Sequence, residues 1–302
     1  MRPDARRSLP IQGPFDLRGT NLKLTRSDPT LEKGRTHFAK ATRTPAGPAT
    51  WAVHLASADQ LDFLAWGPGA GWCAERAEGL SGLWDQGWDW DPGHPVVREL
   101  QRRRPGMRMP RHQNPFETLV PIVLGQLVQD VEKVRAMRLM TRALSEPAPG
   151  PVDLLLPVAP RALARVSTAR LRSFGVLGFQ ARTLHELAFC ASRLLPAAEL
   201  PEQEARELLL SVPGIGEWSV GMAGIQGLGH ADAVPWGDYN LPALLAHRLA
   251  GIDPASEVTR AQQEQWLAPW TGNRARLLKL LWATGGGPKR RHAKAALRPI
   301  DE

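Results

Sequence analysis

Cysteine is nearly absent from this chain of 302 residues. Cys73 and Cys190 alone cannot build a disulfide framework, a four-cysteine zinc site or an iron–sulfur cluster. That scarcity fits a reducing cytoplasm, which is the expected location. No apolar run approaches the roughly 20 residues needed to span a bilayer. The basic start MRPDARRSLPIQGP lacks the apolar middle of a secretory signal, so no membrane association is expected. The eight histidines show no metal-type spacing, and no metal held by side chains is expected. Tyrosine occurs once, against eleven tryptophans, and several of those indoles read as large core residues. What the chain does have is positive charge. A net charge of +8 and a pI near 10.2 make an anionic partner plausible without naming one.

Residues 1–14 and 284–302 read as tails, the second a glycine stop followed by a basic run. Residues 15–108 contain FDLRGTNLKLT, HFAKATRTP, ATWAVHLA and LDFLAWGP, short and partly alternating segments separated by turn formers. They predict a small antiparallel sheet, with helices near 72–84 and 95–104 packed on it. In residues 109–283 the texture changes to apolar residues at helical spacing, broken by glycine and proline. The fold class is therefore α+β, an all-α domain preceded by a small sheet domain.

The sharpest motif is LLSVPGIGEWSVGMAGIQ, residues 209–226. An apolar helix runs into Pro213-Gly214-Ile215-Gly216, and a second helix follows at once. Glycines there let the chain turn tightly and bring bare amides close to an outside surface. At a helix N-terminus such amides can hold a phosphate. An ordinary helix connection with a glycine cap has the same composition. Twenty-five residues after Pro213, in VPWGDYNLP, Asp238 stands just before another helical segment, where an aspartate caps free amides.

PGIGEW followed at this spacing by the aspartate of VPWGDYNLP resembles the signature of the helix-hairpin-helix DNA glycosylases, and most closely the AlkA type that acts on 3-methyladenine. The likeness extends to RPGMRMP with FETLVPIVLGQLV, to LRSFGVLGFQARTLHELA and to WLAPWTGNRARLLKLLW. It implies that the N-terminal sheet is of the TATA-binding-protein-like kind. It implies a repair enzyme acting on damaged double-stranded DNA as a monomer, with no required protein partner.

By the same resemblance Asp238 is the catalytic carboxylate, stabilising the positively charged sugar as the base leaves. Trp218 and Trp270 match aromatic residues of that family's base pocket; Met222 departs from the pattern where a relative has an aromatic, and Trp236 and Tyr239, beside Asp238, are expected to line the pocket as well. Leu127 fills the gap left by a flipped base, with Gln126 beside it on the DNA. Pro213, Gly214, Ile215 and Gly216 hold the backbone. No cofactor is implied beyond one alkali cation on hairpin carbonyls around 210–216. Lyase members carry a lysine two residues after the second hairpin glycine; here that residue is Trp218, so hydrolysis without strand cleavage is expected. A purine alkylated on a ring nitrogen is cationic and leaves without an acid, which suits a chain with no second clear carboxylate. Arg274 and Arg276 read either as phosphate contacts or as a decorated helix face. His230 and Asp232 read as loop residues. Two alternatives stay open: the same fold acting on oxidised, deaminated or mismatched bases, and a damage-binding protein without chemistry.

Overall fold

Five antiparallel strands in the order β1-β5-β4-β3-β2 form the N-terminal sheet of the computed structural model, which describes residues 1–21, 27–87 and 90–283. The strands are β1 (Ala5–Pro10), β2 (Leu31–Lys33), β3 (His37–Thr44), β4 (Gly47–Leu55) and β5 (Gln60–Trp66). Alternation puts Phe38, Trp51, Val53 and Phe63 on one face. There Trp51 stacks on Phe63 at 5.9 Å and meets Phe38 at 5.3 Å. Helices α2 (Ala70–Glu75) and α3 (Ala77–Ser81) join this core with Cys73, Ala77 and Leu80. Behind β3, Ala39 and Ala41 are closed over by Leu154 and Leu156.

Two local expectations are corrected here. Residues 5–10 are not a tail, because β1 pairs along β5 from Ala5↔Ala65 to Pro10↔Gln60 and buries Leu9 completely. Its arginines and terminal proline suit a sheet edge, which made the strand look like loop. The start of FDLRGTNLKLT is not a strand. The Asp16 carboxylate accepts from the Gly19 amide at 2.8 Å and starts the short helix α1 (Leu17–Thr20). Residues 22–26 and the basic tail 284–302 lie outside the described residues.

The helices after the sheet are α4 (Pro95–Arg103), α5 (Pro115–Leu124), α6 (Asp130–Leu144), α7 (Pro160–Arg165), α8 (Thr168–Ser173), α9 (Gly178–Leu194), α10 (Glu202–Leu210), α11 (Glu217–Gln226), α12 (Leu241–Leu245), α13 (Arg260–Leu267) and α14 (Arg274–Ala283). They pack round two cores. One gathers Leu119, Met140, Leu184, Leu209 and Ala223 from α5, α6, α9, α10 and α11. The other gathers Val97, Leu245, Leu267 and Leu278 from α4, α12, α13 and α14. Each buried Leu, Val or Met side chain among them contributes roughly 1.5–3 kcal/mol by leaving water. Helix α11 belongs to both, with Val220 in the first and Ile225 in the second, and is buried from Ser219 to Gln226.

Polar joints tie the sheet to the helices. Glu117, in the first turn of α5, accepts from Lys40 (3.2 Å), Thr42 (2.8 Å) and the Arg43 amide (2.7 Å), all on β3. Its carboxylate is 4% exposed, so these partners are what hold a buried charge there. Lys279 of α14 donates to the carbonyls of Thr20 and Arg108, each at 2.8 Å.

Candidate active site

Three segments meet around α11. The first is the hairpin between α10 and α11. Val212 and Ile215 are buried in the first core and pin the turn from below. Ile215 therefore offers only its backbone to an outside partner. Gly214 has φ +86°, and a Cβ there would fall 2.0 Å from the Thr183 hydroxyl. Gly216 is different: its backbone is extended (φ −108°, ψ −178°), and a Cβ would meet nothing within 4 Å. Nothing inside the protein requires glycine at 216, and the first turn of α11 has open space there for an approaching group.

The second segment is the turn between α5 and α6. Leu127 has φ +56° and is 84% exposed. A leucine in the left-handed region costs about 1–2 kcal/mol, and this one gains no burial in return. The turn is held from two sides. Gln126 donates to the Gly214 carbonyl and to the Ser219 hydroxyl, both at 3.0 Å. Gln180 of α9, 1% exposed, donates to the carbonyls of Gln126 (2.9 Å) and Leu124 (3.2 Å). It also accepts from the Leu177 amide at 2.9 Å. The Gln126 amide thus donates to the hairpin and ties the Leu127 turn to it.

The third segment carries Asp238. Gly221 of α11 lies so close to the loop before Asp238 that a Cβ would fall 2.3 Å from the Val234 carbonyl oxygen. That contact sets the loop against the helix and brings Asp238 to Trp218, one turn earlier on α11. Asp238 Oδ2 accepts from the Trp218 indole N–H at 2.9 Å. Its Oδ1 accepts from the amides of Asn240 (2.8 Å) and Leu241 (3.0 Å), closing the first turn of α12. Both carboxylate oxygens are fixed by donors, and the residue remains part-exposed.

The expected base pocket is only partly assembled. Trp218 is half-buried, with its indole edge committed to Asp238. Trp236 is half-buried, and the Arg260 guanidinium lies 4.0 Å over its ring. Arg260 is held in turn by Glu217 (2.9 Å) and Glu264 (2.6 Å). Hydrogen bonding from Arg260, with Arg206 adding to it, keeps the Glu217 carboxyl below its ordinary range. Tyr239 is 71% exposed beside Asp238. Met222 is buried in the first core. Trp270 is buried in the second, its indole N–H donating to the Pro92 carbonyl at 2.9 Å. The aromatic groups nearest Asp238 in the chain and by hydrogen bond are thus Trp218, Trp236 and Tyr239, with the Trp236 ring covered by Arg260.

The other sequence candidates are occupied elsewhere. Arg274 pairs with Asp232, whose Oδ1 also accepts from the Gly272 amide at 2.7 Å, and Arg276 pairs with buried Asp85. Both arginines therefore brace α14 through these carboxylates, and Asp232 is a structural anchor rather than a plain loop residue. Burial pushes His230 down to about 4, aided by Arg111, so it stays neutral. Gln180 and Gly221 were not among the candidates. Two glycines inside the helical pattern, 221 and 224, carry the sequence signal of a close approach. Nothing marks Gln180.

No family profile matches the chain. Over 193 residues it is 28% identical to DNA-3-methyladenine glycosylase 2 of Escherichia coli K12, covering 63% of this chain and 65% of that protein, just under two thirds of its length. The 3-methyladenine DNA-glycosylase from Archaeoglobus fulgidus superposes with a TM-score of 0.74 at 16% identity, over 91% of this chain and 97% of that one. The chain has the fold of the helix-hairpin-helix DNA glycosylases. In sequence this glycosylase-fold chain resembles the AlkA type. The fold reaches beyond alkylation enzymes: the 8-oxoguanine glycosylase/lyase of Clostridium acetobutylicum, solved with double-stranded DNA, matches with a TM-score of 0.58 at 11% identity, over 84% of this chain and 97% of that one. Lesion choice is therefore a matter of the site and not of the fold.

Proposed function

We propose that this chain is a monofunctional DNA N-glycosylase that takes alkylated purines of the 3-methyladenine and 7-methylguanine kind from duplex DNA and leaves an abasic site. It works as a single chain, in the cytoplasm; no described helix is long and apolar enough to cross a membrane. The observation that carries this reading is Asp238, whose carboxylate is oriented by three donors, one of them Trp218 in the first turn after the hairpin, where a lyase would need an amine.

The chemistry follows from that placement. The bond between C1′ and the base nitrogen breaks with its electron pair going to the base. A cationic methylated purine departs neutral and needs no proton. The sugar is left as an oxocarbenium ion, and the Asp238 carboxylate, already oriented by its three donors, stabilises that positive charge. Water then adds to C1′ and gives up its proton, with Asp238 the nearest base. The Trp218 indole beside Asp238 adds a preference for a positively charged base, about 0.5–2 kcal/mol for a good contact.

Purified protein is expected to release 3-methyladenine from methylated duplex DNA, identified by chromatography. Strands should stay intact until the abasic sites are treated with alkali. Release of no methylated base, or a borohydride-trapped enzyme–DNA adduct, would overturn the reading.

The Leu127 turn gives a second expectation. Leu127→Ala and Gln180→Leu should both slow single-turnover excision at least tenfold for a lesion in a matched pair, and much less for the same lesion in a mispair. The mispaired base is already half unstacked and asks less of a wedge. Gln180→Leu should also lower stability by about 1–3 kcal/mol, since it strips donors from two carbonyls. Equal losses on both substrates would remove the wedge from the argument.

A further inference from the structure

A cavity of about 240 Å³ lies between α4, the segment 105–109 and α14, and no residue of the hairpin, the Leu127 turn or the Asp238 loop lines it. Five cations do: Arg98, Arg102, Arg104, Arg276 and Lys279, with no acidic residue among the described lining. Three of the five have carboxylate partners outside the cavity. Arg102 pairs with Glu99 (3.5 Å), Arg104 with Asp16 (3.4 Å) and Arg276 with Asp85.

The other two do not. Arg98 is exposed at the rim and has no carboxylate partner among the described residues. Lys279 is 3% exposed and gives two of its three donors to main-chain carbonyls, not to an acid. The buried Nε of Arg276 has no acceptor either. Burial pushes Lys279 down to about 7 against the pull of Asp85 and Asp16, as expected of an ammonium lacking a close anion.

The walls are apolar where the cations are not, with Trp90, Met107 and Leu280 among them. Guanidinium forks round an acid-free cavity are suited to a phosphoryl group, whose oxygens accept paired N–H donors. Apolar walls and this volume leave room for a compact body attached to that group. We propose that this cavity is a binding site for a small phosphomonoester, a phosphate carried on a pentose- or nucleoside-sized body and seated among Arg98, Arg104, Arg276 and Lys279. The site is separate from the proposed excision chemistry and does not depend on it.

Isothermal titration calorimetry on the full chain tests it with 2-deoxyribose 5-phosphate, deoxyadenosine 5′-monophosphate and deoxyadenosine. The two phosphate esters are expected to bind with Kd below about 1 mM, and the nucleoside to give no heat. Arg98→Ala, an exposed position whose loss leaves the core untouched, should weaken the esters at least tenfold. A 5′-phosphorylated oligonucleotide, compared with its 5′-hydroxyl twin, separates the two sources of such a group. Phosphate-dependent binding lost in Arg98→Ala adds DNA ends to the occupants, and free-ester binding alone confines the site to small molecules. No heat from either ester at millimolar concentration, or binding indifferent to Arg98→Ala, overturns the proposal.

Discussion

Asp238→Asn is expected to lower the excision rate by about 10³-fold or more, because it deletes the charge that faces the developing cation while keeping the shape. The variant should still bind abasic-site DNA with near-normal affinity. The hydrogen-bond pattern adds a less obvious expectation. Asparagine can keep both amide bonds at Oδ1, but its NH₂ then faces the Trp218 indole N–H, donor against donor. That mismatch should cost about 1–3 kcal/mol and lower the melting temperature by several degrees. Adding Trp218→Phe removes the second donor, so the double variant should regain much of the lost stability and none of the activity. Calorimetric melting and single-turnover base release read the two effects separately. Full excision by the single variant would remove Asp238 from the chemistry.

Gly216→Asp should produce the opposite separation. The site is the N-cap of α11, with an extended backbone that any residue adopts and open space where a side chain would go. Aspartate is among the best N-caps, so folding stability should hold or rise by a few tenths of a kcal/mol. The same carboxylate would stand where a DNA phosphate must approach the first-turn amides. Two like charges at a contact distance, with the amides already engaged, should weaken duplex binding by about tenfold to a hundredfold. Electrophoretic mobility shift with an abasic-site duplex, beside a melting curve, measures both. Unchanged affinity would mean that phosphate does not sit on this hairpin.

What could be read in advance was whatever depends on local chemistry. The hairpin is legible because Gly214 and Gly216 stand between two apolar helical runs, and Asp238 because a capping residue follows a Pro-Trp-Gly turn. Strands β3, β4 and β5 are legible from alternation. Strand β1 is not, because an edge strand tolerates arginine and proline and so loses the pattern. Trp270 and Met222 show the limit for pockets, since the same side chain suits a core and a base-binding wall, and only packing decides between them. Arg274 and Arg276 show it for charge. Their partners Asp232 and Asp85 are 42 and 191 positions away, a distance at which no motif speaks. Gln180 is the hardest case, a polar residue on an apolar face whose acceptors belong to a turn 54 residues earlier.

Helix α5 has an anchored end and a working end. At its start, Glu117 is locked to three residues of β3; just beyond its last residue, Leu124, comes the turn that displays Leu127. The eight helical residues from Glu117 to Leu124 make a strut about 12 Å long between them. If Leu127 enters a duplex as proposed, the push calls for a counterforce, and this strut would carry it back to the sheet. The sheet can thus serve as the abutment for opening DNA without touching a nucleotide.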